Sequence, residues 1–402
     1  MGRRVVVTAC NMITPLGLDI ESSWNNMVAG KSGVKKISLF DYSSYQTHIA
    51  GELPPSFEDY ASKYCKGRRS RQMARGTRIG YVCTKATVES ASLNLNSLDR
   101  SRCAVIFGIV ETGHSRIYTD DYWILKTMPH ALSAWVSLEY SIEGPNFIVS
   151  SACASSAFAI AHGYNLIQSN QSDLVITGGA SSIVNPEHIQ GFNDIFALSS
   201  LNEEPERACR PFSINRNGFV IGEGAGVLIL ESEEHAVNRG AEILAEFCGY
   251  ALTSETYNIM APMKDGEGMA KTMAYAIRNA NLEPNQIDYI NAHGTSTPLN
   301  DRYETFAVKS VFGDSAYRTP ISSIKSMIGH TGGACGAIEA ITTIQSIRKG
   351  IIPPTINYSP DPALDLDYVP DKARFRDVNI AISNSFGFGG CNATLVIAKY
   401  NP

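Results

Sequence analysis

Short runs of β-branched and apolar residues recur along the first half of the chain, at 5–8, 103–107, 147–149 and 174–177. Each run is ended by polar residues, glycine or proline. Such runs are typical of buried strands, and we expect them to be parallel. Between the last two runs, small and apolar residues recur at helical spacing in ACASSAFAIAHGYNLIQSNQ. Residues 147–180 are therefore predicted to form a strand, a tight turn, a helix and a second strand.

The second half shows a similar pattern. The segment IDYINAHG predicts a strand that runs into a loop, and ISSIKSMIGHTGGACGAIEAITTIQSIRKG predicts a strand, a Gly-rich turn and a helix. The pair Ala152-Cys153 aligns with Ala334-Cys335, which suggests a duplicated α/β fold. The seam is predicted within residues 251–275, where Gly, Pro and polar residues concentrate, and no low-complexity linker separates the halves. We expect halves 1–250 and 251–402 in one rigid body.

Composition narrows the class of protein. The chain has 402 residues, 44% hydrophobic and 18% charged, with 33 glycines, as in compact globular proteins. A net charge of -5 argues against general nucleic-acid binding. Nine cysteines, without CxxC or Cys/His zinc spacing, predict no disulfide framework, no metal site and a reducing cytoplasm. The N-terminus has only a short apolar run, so we expect neither a signal peptide nor a membrane span.

Candidate chemistry begins at Cys153, where a predicted strand turns into a helix. A helix N-terminus favours a thiolate, although a single cysteine is more often a small buried hydrophobe. His293 and His330 both lie in Gly-rich loops after predicted strands of the other half, which favours a shared crevice over two structural histidines. Lys325 precedes His330 by five residues. It either polarises the same site or lies on the surface.

Two further segments have open interpretations. The run NSFGFGGCN at 384–392 is not a nucleotide-binding loop, because it lacks both G-x-G-x-x-G and a Walker lysine. Its glycines permit close backbone approach to a reacting centre, with Phe386 and Phe388 as apolar walls, or simply form a tight turn. The segment KGRRSRQMARGTR, residues 66–78, is a dense basic cluster. It is either a solvated helix face or a surface for an acidic partner.

Together these motifs resemble those of β-ketoacyl-[acyl-carrier-protein] synthases of the elongating type and the ketosynthase subunit of type II polyketide systems. The matching segments are SSACASS, NAHGTSTPLND, IKSMIGHTGGACGAIEA and NSFGFGG, together with the opening VVVTACNMITPLG and RPFSINRNGFVIGEGAG. The resemblance covers nearly the whole length. It implies the thiolase fold, an α/β fold of five α-β-α-β-α layers built from two similar halves and usually dimeric across a sheet formed between subunits.

The resemblance also implies roles for individual residues. Cys153 would take the acyl chain from the phosphopantetheine of an acyl carrier protein. His293 and His330 would stabilise the enolate formed when a malonyl extender loses carbon dioxide, and Lys325 would order them. Backbone N–H groups of Cys153 and Phe388 would form the oxyanion hole, with Phe388 as a gate. The remaining implied residues are a supporting network (Glu339, Asp301, Glu304), pantetheine contacts (Thr295, Thr297) and a carrier-protein surface (Lys66, Arg68, Arg69, Arg71, Arg75).

No bound cofactor is implied, and the partners would be an acyl carrier protein and a second ketosynthase-like subunit, as a homodimer or as a heterodimer with a chain-length factor. The segment IFGIVETG departs from the family pattern because it carries Glu111 and Thr112 near the expected acyl pocket. A buried unpaired carboxylate is costly beside a saturated chain. We therefore favour a specialised polyketide or polyene pathway, with housekeeping fatty-acid elongation as the alternative.

Three rival functions remain weaker. A non-catalytic chain-length factor usually lacks the nucleophile, and a degradative thiolase uses a second catalytic cysteine and one histidine. A cysteine hydrolase conflicts with the dry pocket that the phenylalanines imply. Cys335 shares the Ala-Cys pair, but the family normally has a small residue there, so we interpret it as a packing residue.

Overall fold

The computed structural model describes residues 2–94, 98–111 and 120–402. Its strands are β1 Val5–Ile13, β2 Lys35–Lys36, β3 Ile49–Ala50, β4 Cys103–Gly108, β5 Asn146–Val149, β6 Leu174–Ser182, β7 Glu223–Ser232, β8 Ala245–Ser254, β9 Tyr289–Asn291, β10 Ile321–Ser322, β11 Ile351–Ile352, β12 Arg374–Phe375, β13 Ile380–Phe386 and β14 Cys391–Ala398. Its helices are α1 Ile20–Val28, α2 Phe57–Tyr64, α3 Gly67–Arg71, α4 Arg75–Ser90, α5 Trp123–Thr127, α6 Ala131–Tyr140, α7 Ser155–Gln168, α8 Pro186–Asp194, α9 Glu233–Asn238, α10 Glu267–Asn279, α11 Pro298–Phe312, α12 Lys325–Ile328 and α13 Cys335–Lys349.

The two halves have the same sheet topology. In the first half the strand order is β5-β4-β6-β7-β1, and in the second it is β10-β9-β13-β14-β8. In both halves the first three strands of this order are parallel and the last two are added antiparallel. Of the five strands in each half, the third in chain order lies at an edge of the sheet: β5 in the first half and β10 in the second. The predicted duplication is therefore present in strand order and direction, not only in the Ala-Cys pair.

One strand prediction needs correction. The runs at 103–107, 147–149 and 174–177 lie in β4, β5 and β6, which are parallel as expected. The run at 5–8 lies in β1, which pairs antiparallel with both β7 and β8. All nine residues of β1 are buried. A strand covered on both faces is uniformly apolar whichever way its neighbours run, so the pattern does not reveal direction.

Five layers follow from the helix packing. Helices α7 and α13 pack on each other and lie between the two sheets, while α4 and α6 cover the outer face of the first sheet and α10 covers the second. Every residue of α13 from Cys335 to Ile347 is buried, as expected for a helix enclosed on all sides. This arrangement confirms the predicted α-β-α-β-α fold class.

The predicted boundary between the halves falls inside a strand. The boundary between residues 250 and 251 cuts β8, which spans Ala245–Ser254 and belongs to the second sheet. Short β8–β1 pairing joins the two sheets into one ten-stranded order. The Gly, Pro and polar residues that suggested a seam instead form the loop after β8, part of which lines the cavity described below. Among the described residues, no helix combines the length and apolarity needed to cross a bilayer.

Candidate active site

Cys153 lies in a sharp turn between β5 and α7. Ala152 has a φ of +48°, in the left-handed region that non-glycine residues rarely adopt. This conformation bends the chain directly into the helix. The Ser155 hydroxyl accepts a hydrogen bond from the backbone N–H of Ser151 at 2.8 Å, which braces the turn. The Cys153 side chain is partly exposed at the N-terminal end of α7. The N-terminal end of α7, where the positive end of the helix macrodipole lies, is therefore directly beside this side chain.

Cys153, His293 and His330 come together from the two halves of the fold. The Cys153 sulfur and one ring nitrogen from each histidine all lie within 4.8 Å of one another. The two imidazole rings are 5.7 Å apart between centroids and nearly perpendicular. Both histidines are almost fully buried. The arrangement predicted from three separate motifs is therefore a single cluster.

Lys325 holds His293 from behind. Its ammonium donates to the His293 carbonyl at 2.7 Å, lies 3.4 Å from His293 Nδ1 and forms an ion pair with Glu339. Burial by itself would lower the pKa of Lys325, but the groups around it, Glu339 first among them, together raise it above its usual value. Burial, Lys325 and His330 together hold the pKa of His293 well below its usual value. His293 is therefore a neutral imidazole whose Nδ1 faces a cation.

His330 is held differently. The backbone N–H of Gly332 donates to His330 Nδ1 at 3.1 Å, so this nitrogen is an acceptor and carries no proton. In the neutral ring the proton is then on Nε2. Both histidines thus have an occupied Nδ1 and an Nε2–H available as a donor to the cavity.

The predicted polar network divides into separate contacts. Glu339 contacts Lys325, whereas Glu304 accepts the backbone N–H groups of His293 and Gly294 at 2.8 Å each. Burial raises the pKa of Glu304 to about 7. Asp301 lies further away and accepts the backbone N–H of Phe212 at 2.8 Å. Glu304, and Glu339 through Lys325, therefore fix the loop that contains His293. Asp301, at the start of α11, links the segment after this loop to the backbone at Phe212.

The remaining predicted site residues surround the same opening. The hydroxyls of Thr295 and Thr297 are 2.9 Å apart, and the Phe386 ring lies 5.8 Å from the His293 ring. Phe388 is 37% exposed. A side-chain carbon placed on Gly387 would lie 3.2 Å from the Cys153 nitrogen, so the turn passes directly beside Cys153. This close approach explains the glycine.

A cavity of about 450 Å³ connects these groups. Among its lining residues are Cys153, His293, His330, Thr295, Thr297, Phe386 and Phe388. Residues that the sequence did not single out also line it: Val110, Ile183, His188, Phe192, Phe219, Asn258 and Met260. Phe219 lies in RPFSINRNGFVIGEGAG, a motif visible in the sequence, whereas the α8 residues carry no comparable signal. The lining is mainly apolar, as in pockets that hold a small ligand or acyl group.

Glu111 is placed differently from the expectation. Val110 is a lining residue of the cavity and Glu111 is not. The Glu111 carboxylate accepts the backbone N–H of Ser182 and lies 3.4 Å from the Ser181 hydroxyl, at the end of β6. Burial raises its pKa to about 7. Thr112 lies outside the described residues.

The basic cluster separates into paired and exposed cations. Arg69 pairs with Glu139, Arg75 with the buried Glu223, and Arg78 with Glu58. Arg69 is exposed despite its ion pair. Within the described part of the chain, no ion pair involves three further exposed members, Lys66, Arg68 and Arg71. Only part of the predicted surface therefore presents uncompensated charge, while Arg75 compensates a buried carboxylate.

Comparisons with known proteins agree with this geometry. The family model described as Beta-ketoacyl synthase, N-terminal domain, matches residues 2–236, and the C-terminal domain model matches residues 244–359. The 3-oxoacyl-[acyl-carrier-protein] synthase 2 of Staphylococcus aureus (strain COL) is 38% identical over 413 residues, covering 99% of each chain.

Two solved structures are similar over the full length of both chains. The ishigamide ketosynthase/chain length factor has a TM-score of 0.92 at 32% identity. A type II PKS acyl-carrier protein in complex with its ketosynthase bound to the hexaketide has a TM-score of 0.90 at 31% identity.

Proposed function

The chain belongs to the β-ketoacyl synthase family, acyltransferase-type condensing enzymes, and from this membership we propose that it joins an acyl group held on Cys153 to a malonyl extender by decarboxylative condensation. The observation that carries the proposal is the cluster of one thiol and two imidazoles within 4.8 Å, lining a mainly apolar cavity. Two histidines that each offer an Nε2–H can both donate to an enolate oxygen. They suit that role better than the abstraction of a proton, which a thiolase performs with one histidine and a second cysteine.

In the first half-reaction the Cys153 thiolate attacks the thioester of an acyl carrier. A carbon–sulfur bond to Cys153 forms, and the bond to the carrier's phosphopantetheine sulfur breaks. The backbone N–H groups of Cys153 and Phe388 stabilise the tetrahedral oxyanion between these steps. The end of α7 supports this role because its N–H groups and macrodipole favour negative charge at the same point.

In the second half-reaction the malonyl thioester loses carbon dioxide. The electron pair of the broken carbon–carbon bond moves into an enolate, whose oxygen accepts hydrogen bonds from Nε2–H of His293 and His330. The enolate carbon then attacks the Cys153 thioester. The carbon–sulfur bond to Cys153 breaks and the thiolate is regenerated. The lowered pKa of His293 is consistent with this role, since it keeps the ring neutral, with Nδ1 facing Lys325 and Nε2–H as its one donor.

Both substrates would arrive on an acyl carrier protein. Thr295 and Thr297, at the cavity lining, would contact the pantetheine arm. The exposed cations Lys66, Arg68 and Arg71 would steer the acidic carrier towards the opening. One similar structure is a ketosynthase complexed with its carrier protein, and another is a ketosynthase/chain length factor. These two relatives support an acyl carrier and a second ketosynthase-like subunit as partners, the subunit being either identical or a chain-length factor.

Two candidate functions differ in the acyl chain that Cys153 would hold. The mainly apolar lining and the 3-oxoacyl-[acyl-carrier-protein] synthase 2 relative favour a fatty acyl chain. Glu111 is a weaker argument for a specialised polyketide or polyene chain than its sequence position suggested, because it is not a lining residue. His188, however, adds a polar ring to the cavity lining, which keeps the specialised chain as the second candidate.

Acyl transfer to the enzyme tests the nucleophile directly. The purified chain is mixed with an acyl-loaded carrier protein and analysed by intact mass and peptide mapping. We expect one acyl adduct, on the peptide that contains Cys153, and none in Cys153→Ala. The matched control, Cys83→Ala, removes a buried thiol far along the chain and should leave the adduct intact. An adduct that persists in Cys153→Ala would overturn the proposal. Turnover of saturated against oxygenated or unsaturated acyl carriers then separates the two candidates.

A further inference from the structure

A second cysteine contacts the catalytic cluster from behind. Cys335 is the first residue of α13 and is 1% exposed. Its sulfur lies 3.3 Å from His330 Nδ1 and 3.4 Å from the Thr331 hydroxyl. Cys335 is not among the residues that line the cavity. Packing alone, the interpretation favoured by the sequence, does not describe a thiol at hydrogen-bond distance from this imidazole.

The direction of the hydrogen bond follows from the neighbouring amide. Gly332 N–H donates to His330 Nδ1, so this nitrogen carries its lone pair and no proton. In the contact with Cys335 the thiol is then the donor, and it shares that lone pair with the amide. Burial raises the pKa of the Cys335 thiol to about 11, so the sulfur keeps its proton at neutral pH. With its proton directed to Nδ1, the sulfur is left to accept from the Thr331 hydroxyl. Thr331, Cys335 and His330 thus form a short chain of hydrogen bonds that ends at the imidazole.

We propose that Cys335 is a positioning residue for His330, which holds the ring with Nδ1 unprotonated and Nε2–H directed into the cavity. This inference rests on the proposed function, in which Nε2–H donates to the malonyl enolate. Two donors converge on Nδ1, the Gly332 amide and the Cys335 thiol. A proton on Nδ1 would point at the hydrogen atoms of both donors, so the tautomer with its proton on Nδ1 is disfavoured. The pairing mirrors the other histidine, whose Nδ1 faces Lys325.

If Cys335 positions His330, its loss should affect only one of the two half-reactions. Acyl transfer to Cys153 does not need the enolate, whereas loss of carbon dioxide does. Cys335→Ala removes the donor and leaves the Gly332 amide, and we expect decarboxylation of the malonyl carrier to slow about 3- to 10-fold, the usual effect of losing one neutral hydrogen bond. Acyl loading of Cys153 should stay within about twofold. Cys335→Ser keeps a hydroxyl donor and should restore decarboxylation to within about twofold of the unaltered chain.

The experiment measures both half-reactions on the full chain. Acyl loading is followed by intact mass, and carbon dioxide release from malonyl carrier is followed in parallel, with KM and kcat determined separately. The matched control is Cys83→Ala, which removes a buried thiol that donates to the Asn11 carbonyl at 3.4 Å. It should change neither half-reaction. Thermal unfolding of each variant shows that the folded fraction is equal.

Three results would contradict the proposal. Cys335→Ala could match Cys83→Ala in decarboxylation, both half-reactions could fall equally, or Cys335→Ser could be as slow as Cys335→Ala. The proposed function fails in a different way, for example if the unaltered chain neither loads acyl groups nor releases carbon dioxide. The two failures are therefore distinguishable in one set of assays.

Discussion

The buried ion pair behind His293 provides a sharp test of the site. The side chains of Lys325 and Glu339 are 1% and 2% exposed. Lys325→Met would leave Glu339 without its cation, and removing one partner of a buried pair typically costs about 3–5 kcal/mol of unfolding free energy. It would also remove the donor to the His293 carbonyl and the cation beside Nδ1. Loss of a hydrogen bond to a charged group corresponds to about a 10- to 100-fold slower decarboxylation.

The double variant Lys325→Met with Glu339→Gln separates stability from catalysis. Removing both charges should recover most of the lost unfolding free energy, because a buried pair is often replaceable by neutral groups. Decarboxylation should stay slow, since nothing restores the contact with His293. In the single variant the unpaired carboxyl has a raised pKa, so its penalty should be smallest at low pH and grow as pH rises.

The assays are urea unfolding at several pH values and carbon dioxide release from malonyl carrier. The reasoning is refuted if the single variant is as stable as the unaltered chain, or if the double variant regains full decarboxylation. In either case Lys325 would not order His293 through this pair.

Three further predictions concern other parts of the molecule. Cys153→Ala should form no acyl adduct yet still release carbon dioxide from malonyl carrier, because both histidines remain; loss of both reactions would contradict separate roles. Alanine at the three exposed cations should raise KM for carrier-bound substrates and flatten its salt dependence, with turnover of small thioesters unchanged; an unchanged KM would exclude this surface, made of Lys66, Arg68 and Arg71. The pKa of Glu304 is raised from 4.5 to about 7, so its contribution to stability should be fully present below pH 4.5 and lost as pH rises through 7. Relative to Glu304→Gln, the unaltered chain should therefore lose stability over that interval in urea unfolding; a constant difference would contradict the burial of that carboxyl.

The grouping of Cys153, His293 and His330 was predictable because each of them lies in a short, distinctive segment. Cys153 follows β5 and precedes a helix of small residues. The Gly-rich loop of His293 follows β9, and that of His330 follows the short helix α12 just after β10. Parallel strands bring their carboxyl ends to the same edge, and the duplicated topology places both edges against one cavity. The contact between Lys325 and His293 followed from the resemblance alone.

Features that depend on distant partners were not predictable. The basic cluster was expected to act as one surface, yet Arg69 and Arg75 are compensated by Glu139 and Glu223, which lie 70 and 148 residues away along the chain. The orientation of Glu111 depends on an amide at the end of β6. The loop after β8 has the composition of a linker, although part of it lines the cavity. None of these distinctions is encoded in local pattern.

The role of Cys335 shows the same limit. The sequence identified it by its pairing with Cys153 across the duplication and favoured packing. Its distance from His330 Nδ1 depends on how the turn at Gly332, which has a φ of +52°, folds back over the start of α13. A positive φ at glycine is visible only in the folded chain.

The most direct test of the central claim is condensation itself. The purified chain is supplied with an acyl-loaded carrier protein and malonyl carrier protein, alone and together with a candidate ketosynthase-like partner, and the carrier-bound product is identified by intact mass while carbon dioxide is counted. We expect a β-ketoacyl carrier extended by one two-carbon unit, with one carbon dioxide released per product and none of this product from Cys153→Ala. Release of free acyl acid without any extended product, across all carriers and partners supplied, would contradict it.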